Sequence, residues 1–167
     1  MIVGKGAIAK ALTDRDDRIY FASGVSNSKE DNDVRYILEK IMLCRQTAND
    51  RRLVYFSSLC IFNSDTKYSR HKMEMEGLVK VIFPKYAILR IGNIEWAENP
   101  HQLIPFIKEK LKNKEPFDIF DEYRFILSRT EFDYWIDHIP DWNCEMNITG
   151  EMIHMRDLVK RYGPETE

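Results

Sequence analysis

Tyr68 and Lys72 flank Ser69-Arg70-His71, and that spacing would place them one turn apart on a single helix face. An ammonium beside a phenol favours the phenolate and lowers its pKa towards the range useful for proton transfer. The spacing alone is common, and it equally describes a half-buried aromatic next to a solvated lysine. Three other stretches give the pair a setting: a glycine-rich start, a Ser57-Ser58 strand end before it, and a strand after it.

Residues 1–9 read Met-Ile-Val-Gly-Lys-Gly-Ala-Ile-Ala. A short apolar strand enters Gly4-x-Gly6-x-x-Ala9, and Ile8, Ala11 and Leu12 continue at helical spacing. This is the G-x-G-x-x-A form of the dinucleotide fingerprint in its strand-turn-helix setting. Such glycines let the backbone turn tightly and approach a pyrophosphate, whose charge the free N–H groups of a helix start would hold. A tight turn with nothing bound has the same sequence. Asp14, Asp16 and Asp17 come too early to be the acid that binds an adenosine ribose, and suit a solvated turn.

The elements that must position these residues follow in order. Strands are expected at 18–23, at 53–56 running into Ser57-Ser58, at 86–91, at 116–119 and at 146–148. Helices are expected after Asp33 as cap, at 68–80, at 101–112, after Ser128 and at 152–162. In the helix after Asp33, Val34, Ile37, Leu38 and Ile41 form an apolar stripe. Alternating strands and helices argue for an open parallel sheet with helices on both faces. In such sheets ligands lie at the C-terminal strand ends, where the segment after Ser58 would be.

The 167 residues, 44% hydrophobic and 31% charged, suit one folded domain. A net charge of −2, from 25 basic and 27 acidic side chains, offers no general attraction to nucleic acid or an anionic membrane. No apolar run approaches the roughly 20 residues of a membrane span. Three scattered cysteines, Cys44, Cys60 and Cys144, suggest a reducing cytoplasm. The four histidines lack metal-ligand spacing, so no metal is assigned.

Gly4-x-Gly6-x-x-Ala9, Ser57-Ser58, Tyr68-x-x-x-Lys72 and Leu89-Arg90-Ile91-Gly92-Asn93, in that order, resemble the extended short-chain dehydrogenase/reductase family. These are NAD(P)-dependent sugar-nucleotide epimerases, dehydratases and reductases. The segment from Thr130 to Asp137 is similar to the family's Arg-Asp-Phe-x-x-x-x-Asp, and Met146-Asn147-Ile148-Thr149-Gly150 to its Tyr-Asn-x-Gly. Between Leu12 and Arg18 the family's second and third strands are missing, so this is a shortened form.

The resemblance implies an α/β fold: a reduced Rossmann-like open parallel sheet with helices on both faces, in one domain over residues 1–167. Its C-terminal part, from about residue 94, would form a small substrate lobe. Tyr68 would be the general acid/base, Lys72 would depress its pKa and hold the nicotinamide ribose, and Ser58 would orient the substrate oxygen. Gly4, Gly6, Ala7, Ile8, Ala22, Ser23, Tyr68 and Lys72 would bind NAD or NADP. Ser58, Gly92 and Asn93 would meet a nucleotide-sugar substrate. The implied activity is an NAD(P)-dependent oxidoreductase or epimerase. The alternative is a catalytically degenerate member serving as a homodimeric binding or assembly module. The implied dimer pairs helices 34–45 and 68–80 of two copies.

Overall fold

The computed structural model describes residues 1–47 and 50–163. The last four positions of the expected domain lie outside the described residues. The chain runs β1 (Ile2–Val3), α1 (Ala7–Ala11), β2 (Arg18–Phe21), α2 (Asp33–Cys44), β3 (Arg52–Ser58), a 3-10 turn (Leu59–Phe62), α3 (Lys67–Ile82) and β4 (Tyr86–Ile91). It continues through β5 (Asn93–Ile94), α4 (Leu103–Lys112), β6 (Tyr123–Leu127), α5 (Arg129–Asp137), β7 (Cys144–Ile148), β8 (Glu151–His154) and α6 (Met155–Tyr162).

The main sheet is wholly parallel, in the order β1-β2-β3-β4-β7. Its central strands are nearly unbroken apolar runs because both faces are covered. Successive side chains point to opposite faces, which divides the core in two. Tyr20, Val54, Phe56, Ala87 and Leu89 pack with Ala11 of α1 and with Phe132 and Ile136 of α5. Ile19, Phe21, Leu53, Tyr55 and Ile88 pack with Leu43 of α2 and with Met75 and Val79 of α3. The expected Rossmann-like sheet with helices on both faces is therefore present. β1 pairs directly with β2, Ile2 opposite Tyr20, with only residues 12–17 between α1 and β2.

A second sheet, β5-β6-β8, branches off where Gly92 joins β4 to β5. β6 is parallel to β5 and antiparallel to β8. Ile126 and Ile153 of this sheet pack with Ile104 and Ile107 of α4 and with Met155 and Leu158 of α6. The C-terminal third therefore serves both sheets, because α5 and β7 belong to the main one.

Several local expectations are corrected. Residues 116–119 are not a strand, and residues 152–154 belong to β8 rather than to the closing helix. Thr130–Asp137 lies in α5, whose start is capped by Ser128 accepting from Glu131 N–H at 3.2 Å. The cap of α2 is Asn32, which accepts from Val34 N–H at 3.0 Å, while Asp33 is the first helical residue. Thr66 and Ser69 start α3 with reciprocal side-chain caps at 3.1 and 2.9 Å, and Pro84 follows its end. Among the described residues no helix is long and apolar enough to cross a membrane.

Phe132 has no exposed surface and joins α5 to the sheet through Phe56 and to the turn after β5 through Trp96. Phe132→Ala should cost about 3–5 kcal/mol, read as a lowered urea midpoint with an unchanged slope. A loss within about 0.5 kcal/mol would show that α5 does not cover this face.

Candidate functional site

At the C-terminal ends of β2, β3 and β4 lies a cleft of about 590 Å³. Each strand end delivers its own residues: Ala22 and Ser23 after β2, Ser57 and Ser58 from β3, Gly92 and Asn93 after β4. The first turns of α3 supply Tyr68 and Lys72, and α1 supplies Ile8. Phe106, Tyr123 and Phe125 close the far side from α4 and the small sheet. The cleft thus brings together Ser58, Tyr68, Lys72, Ile8, Ala22, Ser23, Gly92 and Asn93 from the sequence-based set. Gly4 and Gly6 lie in the exposed turn before α1 and Ala7 is the first residue of α1; none of the three lines the cleft.

The two serines are used differently. Ser57 is buried and donates to Glu76 at 2.6 Å, and Glu76 in turn accepts from Arg90 at 2.6 Å. Ser58 is half-buried, and its Oγ accepts from Cys60 N–H at 3.3 Å as the cap of the 3-10 turn. Its hydroxyl also acts on the Tyr68 phenol across the cleft wall.

Lys72 is almost fully buried, and its partners differ from the expected ones. Its ammonium donates to Glu39 Oε1 and to the Tyr55 hydroxyl, each at 3.1 Å. It lies 5.7 Å from the Tyr68 ring centroid and 5.2 Å from that of Tyr55. Glu39, 1% exposed, also accepts from Val25 N–H at 2.9 Å and from the Tyr55 hydroxyl at 3.2 Å. His71 Nε2 lies 3.0 Å from Glu39 Oε2, and the edge-on Tyr36 ring packs against that imidazole. Gly24, with φ +138°, makes this possible, since a Cβ there would run into the Glu39 carboxylate.

Burial pushes the Glu39 carboxyl up, but the Lys72 charge, His71 and the Val25 N–H outweigh it and hold its pKa at about 2. Burial works against the Lys72 ammonium too, and Tyr55 and Glu39 more than compensate, so its pKa lies above the ordinary lysine value. Tyr68 goes against expectation. Burial raises its pKa above the usual phenol value, and the opposing pull of Lys72 and the Ser58 hydroxyl does not reverse that. Tyr68 is therefore a protonated phenol at neutral pH.

Sequence reasoning missed Glu39, Tyr55 and His71. The signal available was phase: Tyr36, Glu39 and Leu43 are spaced three and four apart, so a carboxylate shares the stripe that α2 buries. The more obvious stripe points outward. Val34, Ile37, Leu38 and Ile41 are 59%, 51%, 51% and 39% exposed.

No protein-family model matches the sequence, and no curated protein matches it. Solved structures do match the fold, a Rossmann-like parallel sheet with helices on both faces. One is dTDP-4-dehydrorhamnose reductase from Bacillus anthracis in complex with NADP: TM-score 0.70, 13% identity, over 87% of this chain and 60% of that one. Another is UDP-glucose 4-epimerase from Thermus thermophilus with NAD: TM-score 0.65, 16% identity, over 87% and 60%. A third is the Bordetella bronchiseptica enzyme WbmG with NAD and UDP: TM-score 0.66, 16% identity, over 90% and 58%. The chain therefore spans less than two-thirds of the length of each.

Glu39→Gln would leave a buried ammonium without its counter-charge, at a cost of about 3–5 kcal/mol in urea unfolding. The pH dependence has a definite sign. The Glu39 pKa is lowered on folding from the usual 4.5 to about 2, so its stabilisation is present above 4.5 and lost as pH falls towards 2. The variant should lack that component of acid sensitivity. Equal stability of both proteins at neutral pH would show that the pair is not formed.

Proposed function

We propose that the protein is an NAD(P)-dependent oxidoreductase or epimerase acting on a nucleotide-activated sugar. The observation that carries this reading is the convergence of Ser58, Tyr68 and Lys72 in one cleft at the C-terminal ends of a parallel sheet. The fold neighbours crystallised with NAD or NADP support the cofactor class, and the one holding UDP supports the substrate class. The residues present fit a nicotinamide ribose: Tyr68, Lys72 and Ser23 line a cleft whose Ile8 and Ala22 offer apolar contact.

The bound cofactor would supply the hydride transfer; the protein manages the proton and the geometry. Tyr68, held protonated by burial, donates its proton to a sugar carbonyl oxygen or takes it back from the carbinol. Ser58 donates a hydrogen bond to the same oxygen and fixes its orientation. Lys72 would hold the ribose hydroxyls of the bound cofactor. Gly92 and Asn93 lie where the sugar would enter. The β5-β6-β8 sheet with α4 and α6, in the stretch from about residue 94, acts as the substrate lobe.

Assayed against nucleotide sugars with NAD(P)⁺ and NAD(P)H, Tyr68→Phe should lower kcat about 10²–10⁴-fold with the fold intact by circular dichroism. Equal turnover in both proteins would remove Tyr68 as acid/base.

A second reading, a non-catalytic homodimeric module, is favoured by the engagement of Lys72 with Glu39 and by the outward apolar stripe of α2. That stripe, with Met73 of α3 also exposed, suits pairing with the same helices of a second copy, and dimerisation is compatible with either reading. The wild type should scatter light as a dimer at micromolar concentration, and an Ile37→Glu, Leu38→Glu double variant as a monomer. A monomeric wild type would remove the dimer.

A further inference from the structure

We infer that the cleft recognises a nicotinamide nucleotide by its nicotinamide mononucleotide half alone, and that the adenosine half adds no specific contact. This rests on the cofactor reading above and deepens it. The side of the site next to β1 carries the inference.

The cleft is lined on that side by Ile8, Ala22 and Ser23, and by the loop from Gly24 to Lys29. Gly4, with φ +130°, is pressed onto the end of β2 so closely that a Cβ would meet the Ala22 carbonyl. A Cβ at Gly6 would meet nothing within 4 Å, so beyond Gly4 the turn faces open space and, among the described residues, no other part of the chain walls it. α1 is fastened to the segment after β5: the Trp96 indole N–H donates to the Ala7 carbonyl at 3.2 Å, and Lys10 pairs with Glu98. Having five residues, α1 brings little of the dipole that would hold a pyrophosphate. Beyond it, β1 is the sheet edge among the described residues, and residues 12–17 return directly to β2. Two of the three acids in that return are already engaged, Asp14 with the N-terminal ammonium and Asp17 with Arg18, while Asp16 is exposed.

Size points the same way. A volume of about 590 Å³ suits one drug-sized ligand, for which pockets run roughly 300–1,000 Å³. A dinucleotide and a nucleotide sugar together exceed that.

The test is calorimetric titration of the full chain with reduced nicotinamide mononucleotide, NADH and AMP. The expected result is mononucleotide and dinucleotide affinities within about threefold of each other, with no competition by AMP. Ser23→Trp, in the cleft wall, should weaken both nicotinamide ligands at least about tenfold. Lys5→Glu, in the exposed turn between Gly4 and Gly6, should change neither. NADH binding about tenfold or more tightly than the mononucleotide, competition by AMP, or selective loss of NADH binding in Lys5→Glu would each overturn the inference and leave the cofactor reading standing. Failure of both nicotinamide ligands to bind would overturn the cofactor reading itself.

Discussion

The buried pair between Lys72 and Glu39 is the interaction on which the rest of the site depends. Two opposite charges out of water are tolerable only when each has further hydrogen-bond partners. Here the Val25 N–H, the Tyr55 hydroxyl and His71 provide them. Because Glu39 comes from α2, Lys72 and His71 from α3, Tyr55 from β3 and Val25 from the loop after β2, the pair ties four pieces of chain together beneath the cleft. Burial keeps Tyr68 protonated against the pull of Lys72, so Tyr68 suits proton donation more than abstraction.

The fold around this pair is economical. Five parallel strands bury their apolar runs on both faces, and three of them end in side chains that line one cleft. A three-stranded sheet beside them supplies the opposite wall. Between α1 and β2 the chain takes a short route back, so β1 is the edge of the main sheet among the described residues.

Much of this was legible in the residues. Apolar runs placed β2, β3 and β4, and the Tyr68-x-x-x-Lys72 spacing located the start of α3. Other features were not, for physical reasons. β5 and β8 are short pieces whose residues alternate too little to stand out, and β6 begins with the polar pair Tyr123-Arg124. α2 misled because its most apolar stripe faces outward while its buried stripe carries a carboxylate. A periodic pattern gives the faces of a helix but not which face the core takes. Partner choice within the core is equally invisible: nothing in the spacing of Tyr68 and Lys72 shows that Glu39, more than thirty residues earlier, would claim the lysine.

The most direct measurement is a crystal structure grown with saturating NADH. The nicotinamide ribose is expected between Tyr68 and Ser23, with Lys72 Nζ on the ribose hydroxyls and Ser58 pointing at the space left for substrate. NADH bound elsewhere, or a cleft free of it with Lys72 still on Glu39 and Tyr55, would contradict the cofactor reading.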